Sequence, residues 1–352
     1  MLQLISHQLV ITVKKTLSCH ASTVLPLDDG RVLAAWFGGS REGNNDVGIW
    51  LAEKAEQSFS EARQVAGSMQ PHWNPVLHQL PDGRILLFYK VSTPISDWHT
   101  MVIESSDGGK TWSSPRELVE GDRSGGRGPV RNKPLRLESG RILAPASVER
   151  GLWRCFIDYS DDNGQTWTKS NLIEAQGTGA LDEGIKTWQR RMREAWDRGE
   201  SFDMSQVPPE YAHGRGVIQP TLWRDDKGVH ALMRSGEGHI YRSDSTDEGE
   251  TWCEGYPIDL PNNNSGIDLA RLESGVMLLA YNPVKENFGA RSPISLAVST
   301  DDGGTWRHLC DLEAEKGEFS YPAVVARGNR VYITYTHRRE NIAYWEFEWI
   351  EH

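Results

Sequence analysis

Ser105-Ser-Asp107-Gly-Gly109-Lys-Thr111-Trp112 reads as the corner of a β-hairpin. Asp107 is placed to accept hydrogen bonds from the amides of its own turn, Gly109 to supply a positive φ, and Trp112 to pack over the corner. The phrase Ser-x-Asp-x-Gly-x-Thr-Trp returns as Ser160-Asp-Asp162-Asn-Gly164-Gln-Thr166-Trp167, as Ser245-Thr-Asp247-Glu-Gly249-Glu-Thr251-Trp252 and as Ser299-Thr-Asp301-Asp-Gly303-Gly-Thr305-Trp306. Four copies of one hairpin corner in a single chain predict a repeated β-unit.

A second repeat gives the count. Gly30, Gly83, Gly140, Gly228, Gly275 and Gly328 each follow a polar turn and each open an apolar strand, as in Arg84-Ile-Leu-Leu-Phe-Tyr89 and Val276-Met-Leu-Leu-Ala-Tyr281. Their spacings are 53, 57, 88, 47 and 53 residues. A period of that length with several strands in each unit is the signature of propeller blades. The reading is an all-β, six-bladed β-propeller. Every blade needs its neighbours to bury both faces, so residues 1–352 are expected to form one domain although their number alone would suggest two.

The interval of 88 residues breaks the period and predicts an insertion near residues 176–213. Within it Leu181, Ile185, Trp188, Met192 and Trp196 step by 4, 3, 4 and 4, an apolar stripe on an otherwise charged helix. Docking on the propeller, a lid, and a contact between copies of the chain in a homo-oligomer are the readings the stripe leaves open.

The formal charge of −11 argues against nucleic acid or an anionic membrane as general partners, while leaving room for a local basic pocket. The start, Met-Leu-Gln-Leu-Ile-Ser-His, lacks a basic region followed by an apolar core, and no run approaches about 18 continuous apolar residues. A cytoplasmic location is the expectation. Cys19, Cys155, Cys253 and Cys310 are scattered, with no Cys-x-x-Cys pair and no His at ligand spacing, which predicts isolated thiols and no metal.

Propeller geometry selects site candidates without further knowledge. The innermost strand of each blade runs along the channel and the second returns antiparallel, so starts of first strands and ends of second strands share one face. Four of the first-strand starts put a residue immediately before proline: Asn74-Pro75, Lys133-Pro134, Gln219-Pro220 and Tyr321-Pro322. Proline restricts the preceding residue and so holds its side chain in a defined direction. The face collects His20, Asn74, Asn132, Lys133, Gln219, Arg234, Asp268 and Tyr321, with Arg41, Asp46, Arg131, Glu149 and Arg291 on adjacent loops. Cationic groups predominate there. Arginine forks grip carboxylates in pairs of bonds, and amides suit hydroxyls, so the expected ligand is an anionic, polyhydroxylated sugar or oligosaccharide.

The corner motif and the six repeats resemble the sialidase (neuraminidase) superfamily over almost the full length, in particular its BNR/Asp-box repeat neuraminidase-like proteins. That resemblance implies a glycoside hydrolase of the exo-sialidase type acting on a terminal carboxylated sugar. Sialidases hold the substrate carboxylate with three arginines, attack with a tyrosine assisted by a glutamate, and use an aspartate as acid/base. Arg234 in Leu-Met-Arg-Ser and Arg291 in Arg-Ser-Pro-Ile-Ser match two of the arginines, Tyr321 in Phe-Ser-Tyr-Pro-Ala matches the nucleophile, and Asp46 in Arg41-Glu-Gly-Asn-Asn-Asp46 matches the acid/base. Arg131, Lys133 or His20 would complete the positive cluster. No cofactor is implied, because each role is filled by protein groups.

Two positions depart from the pattern. His20 stands where the first arginine belongs, and Gln219 stands where the glutamate belongs, 15 residues before Arg234. Arg41 and Glu149 are the groups at hand to replace them. A phenol without a nearby base is a weak nucleophile. Histidine, tyrosine and arginines around a carboxylated sugar are also what β-elimination of a uronate needs, so a lyase on the same fold is the alternative, with a non-catalytic glycan-binding propeller third.

Overall fold

The computed structural model describes residues 1–93 and 95–351. They form six antiparallel sheets around a central channel. The first blade runs Ser18–Pro26, Val32–Gly39 and Gly48–Ala55, with Ser58–Phe59 and Arg63–Ala66 both pairing the third strand. Later blades start from inner strands His72–Gln79, Leu135–Arg136, Val217–Arg224, Asp268–Arg271 and Phe319–Arg327. The ring is closed by the two ends of the chain: Leu2–Leu9 is the outermost strand of the last blade, with Leu2 opposite Trp349 and Leu9 opposite Ala343. Nothing in the repeat pattern pointed to that strand.

The Asp boxes lie at the turns between third and fourth strands of blades two to five. In the first, Asp107 accepts from the amides of Lys110 and Thr111 and from the hydroxyls of Ser105 and Thr111, at 2.6–3.1 Å. The box glycines have φ of 77–87°, as the sequence predicts. They are small for a second reason. A Cβ on Gly109 would lie 2.7 Å from Leu33 and one on Gly249 2.8 Å from Leu143, both side chains of the preceding blade. The corner is therefore also a contact between blades, and the buried Leu33, Leu143, Trp167 and Trp252 belong to the cores between them.

Inner strands are tied to one another around the axis. The Leu77 amide donates to the Thr23 hydroxyl, the Leu269 amide to Thr221, and the Val324 amide to the buried Asp268 carboxylate. These bonds set the heights of neighbouring strands and hence which residues reach each mouth of the channel.

The insertion contains one α-helix, α1 (Asp182–Asp197), flanked by short 3-10 turns. Its apolar stripe is divided. Ile185 is buried, Trp188 packs against Phe202, and Met192 and Trp196 turn toward a cleft. The returning segment lays Tyr211 against Gly184, where a Cβ would be 2.2 Å from the ring. Among the described residues no helix is long and apolar enough to cross a membrane.

Candidate active site

In four blades the inner strand bulges near its start, where its register against the second strand shifts: between His20 and Thr23, Trp73 and Val76, Ile218 and Thr221, Ser320 and Ala323. Each bulge holds a residue at positive φ, namely Ala21 (54°), Asn74 (42°), Gln219 (55°) and Tyr321 (57°). Three of these precede proline, which keeps a residue out of the right-handed helical region; the backbone here takes the left-handed one instead of the extended one. Holding a non-glycine residue there costs on the order of 1–3 kcal/mol and persists only where the surroundings impose it. Bulges re-aim side chains, and the side chains re-aimed here include Gln219 and Tyr321.

Tyr321 is the centre of a cationic ring. Arg234 Nη1 donates to its hydroxyl at 2.6 Å and to Gln219 Oε1 at 3.1 Å, while Arg234 Nε donates to Asn264 Oδ1 at 3.1 Å. The guanidinium carbons of Arg131, Arg291 and Arg234 lie 5.4, 5.4 and 5.5 Å from the Tyr321 ring centroid. His20 packs on the same ring at 4.2 Å between centroids, its Nδ1 hydrogen-bonded to Thr336 Oγ1 at 2.8 Å. Burial and then Arg339, Arg291, Arg131 and Arg234 push the His20 pKa well below its ordinary value, so its imidazole is neutral at neutral pH.

Arg131 and Asn132 clamp the bulges of other blades. Arg131 Nη2 donates to the carbonyls of Tyr321 and Pro322, the latter at 2.7 Å, across the channel. Asn132 Nδ2 donates to the carbonyls of Gln219 and Pro220 at 3.1 and 3.0 Å. Both are buried, and desolvation lowers the Arg131 pKa to about 10. Arg131 Nε and Nη1 have no protein partner among the described residues.

Beside this ring opens a cleft of about 640 Å³ between the propeller face and α1. Glu149 and Trp73 line it from the propeller, and His213 from the end of the insertion. His213 meets the Trp153 ring edge-on, and Trp153 in turn lies 5.6 Å from the Arg234 guanidinium. Desolvation raises the Glu149 carboxyl above its ordinary range, partly offset by Arg234. Asn74 is buried at its bulge next to Trp73.

Four candidates stand apart from the ring. Lys133, expected in the positive cluster, reaches the opposite mouth: its Nζ binds both Asp268 oxygens at 3.0 Å and the Leu269 carbonyl at 2.7 Å, and it borders clefts formed by the strand turns there. Asp268, itself among the residues assigned to the face, is buried and engaged by Lys133, Thr221 and Val324. Lys133 precedes the two-residue inner strand Leu135–Arg136 and does not take the positive φ of Gln219 and Tyr321, so it is not turned as they are. Asp46 is exposed and closes its own loop, accepting from the Ser40 amide and hydroxyl at 2.8 and 2.9 Å. It borders a separate cleft with Gln64 and Met69. Arg41 is exposed on the same loop, and of that loop it is Gly43 that borders the large cleft.

Several participants escaped the sequence reading. Glu318 accepts from Arg291 Nη1 at 2.8 Å and from Arg339 Nε at 2.6 Å. Burial works against its charge, yet the two arginines hold its carboxyl below the ordinary value. Arg339 also binds Glu42, on the Arg41–Asp46 loop. Asn264 belongs to the run Asn262-Asn263-Asn264, a signal in plain view. His213 and Trp153 carried none.

Chemically, the face offers guanidinium groups for a carboxylate, a phenol held by one of them, and a carboxyl whose pKa burial raises. Together, fold and face define a six-bladed Asp-box propeller with an arginine-ringed tyrosine at one mouth. The chain belongs to the BNR repeat-like domain family, whose model matches residues 30–333. A sialidase of Clostridium perfringens is 30% identical over 105 residues, a match that spans about a quarter of either chain. Among solved structures, a protein of unknown function from Dyadobacter fermentans superposes with a TM-score of 0.72 at 16% identity, covering 99% of both chains. The K499G mutant of the NanB sialidase from Streptococcus pneumoniae superposes with a TM-score of 0.73 at 12% identity, covering 97% of this chain and 70% of that one. At those identities the superpositions establish the fold.

Proposed function

We propose that the protein is a sialidase-like glycoside hydrolase that releases a terminal carboxylated sugar. The observation that carries the reading is the Arg234–Tyr321 hydrogen bond inside a ring formed with Arg131, Arg291 and His20. Arg234 and Arg291 would grip the sugar carboxylate, which would bring the anomeric carbon over the Tyr321 oxygen. Arg131 positions Tyr321 through its carbonyl. Glu149 takes the acid/base role in place of Asp46: a carboxyl whose pKa burial raises is better able to protonate the departing glycosidic oxygen, and the carboxylate left behind can take the proton of the incoming water. Gln219, bonded to Arg234, cannot accept the phenolic proton, so that proton would leave through the water of the cleft.

One observation favours a second reading. A neutral His20 on the Tyr321 ring, with Gln219 in place of a carboxylate, also suits removal of the proton beside a uronate carboxylate followed by loss of the glycosidic oxygen. The test is to incubate the full chain with a panel of sialosides and uronate oligosaccharides, following released acidic sugar and the ultraviolet absorbance of an unsaturated uronate. Free acidic sugar without absorbance supports hydrolysis. Rising absorbance replaces it with elimination, and silence in both channels refutes both.

A further inference from the structure

We infer that α1 forms a second subsite for a negatively charged sugar, so that the substrate is an oligosaccharide whose penultimate residue is also acidic. The inference rests on the glycosidase reading of the Tyr321 site and names its substrate class. The first half of α1 is anchored to the loop that carries Glu149. The Gly151 amide donates to Gln189 Oε1 at 3.0 Å and the Leu152 amide to Asp182 Oδ1 at 3.0 Å, while Arg154 pairs with Asp182 at 3.0 Å. The helix is thereby fixed relative to the proposed acid/base.

Beyond that anchor the helix overhangs the cleft. Arg190, Met192, Arg193 and Trp196 line it from the α1 side, facing Trp73 and Ile95. Trp196 is 64% exposed although its ring borders the cleft. Arg190 and Arg193 form no ion pair among the described residues, whereas Lys186 on the same helix is neutralised by Asp182 and Glu183. Like charges three residues apart on a helix weaken it, and they do so here in a chain of net charge −11. A pair of free guanidinium groups beside an open indole is what an anionic sugar requires: a flat ring to cover its apolar face and forks for its acid group. Glu149 lines this stretch and feels the charge of Arg234, as expected if the bond to be cleaved lies between two occupied subsites.

The test uses the full chain and its R190Q/R193Q and W196A variants, whose altered side chains are exposed. Titration calorimetry with α2,8-linked disialic acid and with digalacturonate, against the corresponding monosaccharides, reads the subsite without turnover. The wild type should bind one of the diacids about tenfold more tightly than its monomer, and R190Q/R193Q should lose that factor while leaving monomer affinity unchanged. Equal affinity for diacid and monomer, no binding of either diacid, or an unaltered preference in R190Q/R193Q would overturn the inference. Diacid binding that depends on Arg190 and Arg193 but leads to no product would leave the subsite standing and sink the hydrolase. Turnover of glycosides with no preference for a second charge would do the reverse.

Discussion

Arg234 and Arg127 are both buried arginines, 4% and 9% exposed, in very different company. Arg127 forms three bonds of 2.9–3.1 Å to Asp158, which is fully buried, and pairs with Asp122 at 3.0 Å. In R127M the Asp158 carboxylate loses those bonds and keeps the Gly128 amide. Breaking a buried pair in this way costs about 3–5 kcal/mol. With an unfolding entropy of about 2.1 cal/mol/K per residue over the chain, that corresponds to a fall in Tm of roughly 4–7 °C. Arg234 has only neutral partners, Gln219, Asn264 and the Tyr321 hydroxyl, and shares the Tyr321 ring with two further guanidinium groups. Replacing it by methionine loses three hydrogen bonds but also removes a desolvated charge from a cationic neighbourhood, so R234M should melt within about 2 °C of the wild type. Its activity should collapse. Truncating one side of a buried charge contact to the substrate is worth about 2–5 kcal/mol, or roughly thirty-fold to several-thousand-fold in kcat/KM. Scanning calorimetry and steady-state kinetics on the best substrate of the panel read both quantities. A Tm loss in R234M as large as in R127M would make Arg234 a structural residue, and near-normal kcat/KM would remove it from the site.

Tyr321→Phe should abolish turnover while preserving the melting curve; retention of more than about a tenth of the activity would exclude the phenol as a participant in bond cleavage. For Glu149, raised above its ordinary pKa, the protonated form is the donor, so activity should fall as pH rises through that pKa, above the usual range of a glutamate. Glu149→Gln should lose this alkaline limb and about 10²–10⁴ in rate, and a persisting limb in the pH profile would assign it to another group. Deletion of residues 178–212 should leave the six blades folded, with unchanged β circular dichroism, because Arg154 retains Glu174 when Asp182 is lost. In the same protein the diacid should bind no more tightly than its monomer, and an unfolded product would show that α1 is part of the propeller's stability.

How legible the site was depended on how local its geometry is. Arg234 ends a strand whose apolar pattern shows which way it runs, and Tyr321 and Gln219 announce themselves by the proline that follows. Lys133 is followed by proline too, and on that evidence cannot be told from them. What separates them is the backbone, left-handed at Gln219 and Tyr321 but not at Lys133, and the buried Asp268 that draws the lysine to the other mouth. Asp46 was assigned by its place in a loop, yet its carboxylate is engaged in holding Ser40. Arg339 and Glu318 lie in ordinary polar stretches and become part of the site only because the last blade meets the first there.

By itself the sequence determined the propeller, the six blades, the helical insertion and the cationic character of one face. Those properties rest on interactions within a few residues, such as an aspartate binding its own turn, a glycine at positive φ, and an apolar strand after each turn, and each repeat states them again. The closing strand Leu2–Leu9, the convergence of Arg131, Arg234 and Arg291 on Tyr321, and the placing of α1 beside Glu149 were decided by tertiary structure alone. They depend on the heights and register of strands that meet around the channel from distant parts of the chain, and pairing across such distances leaves no periodic trace in the order of the residues.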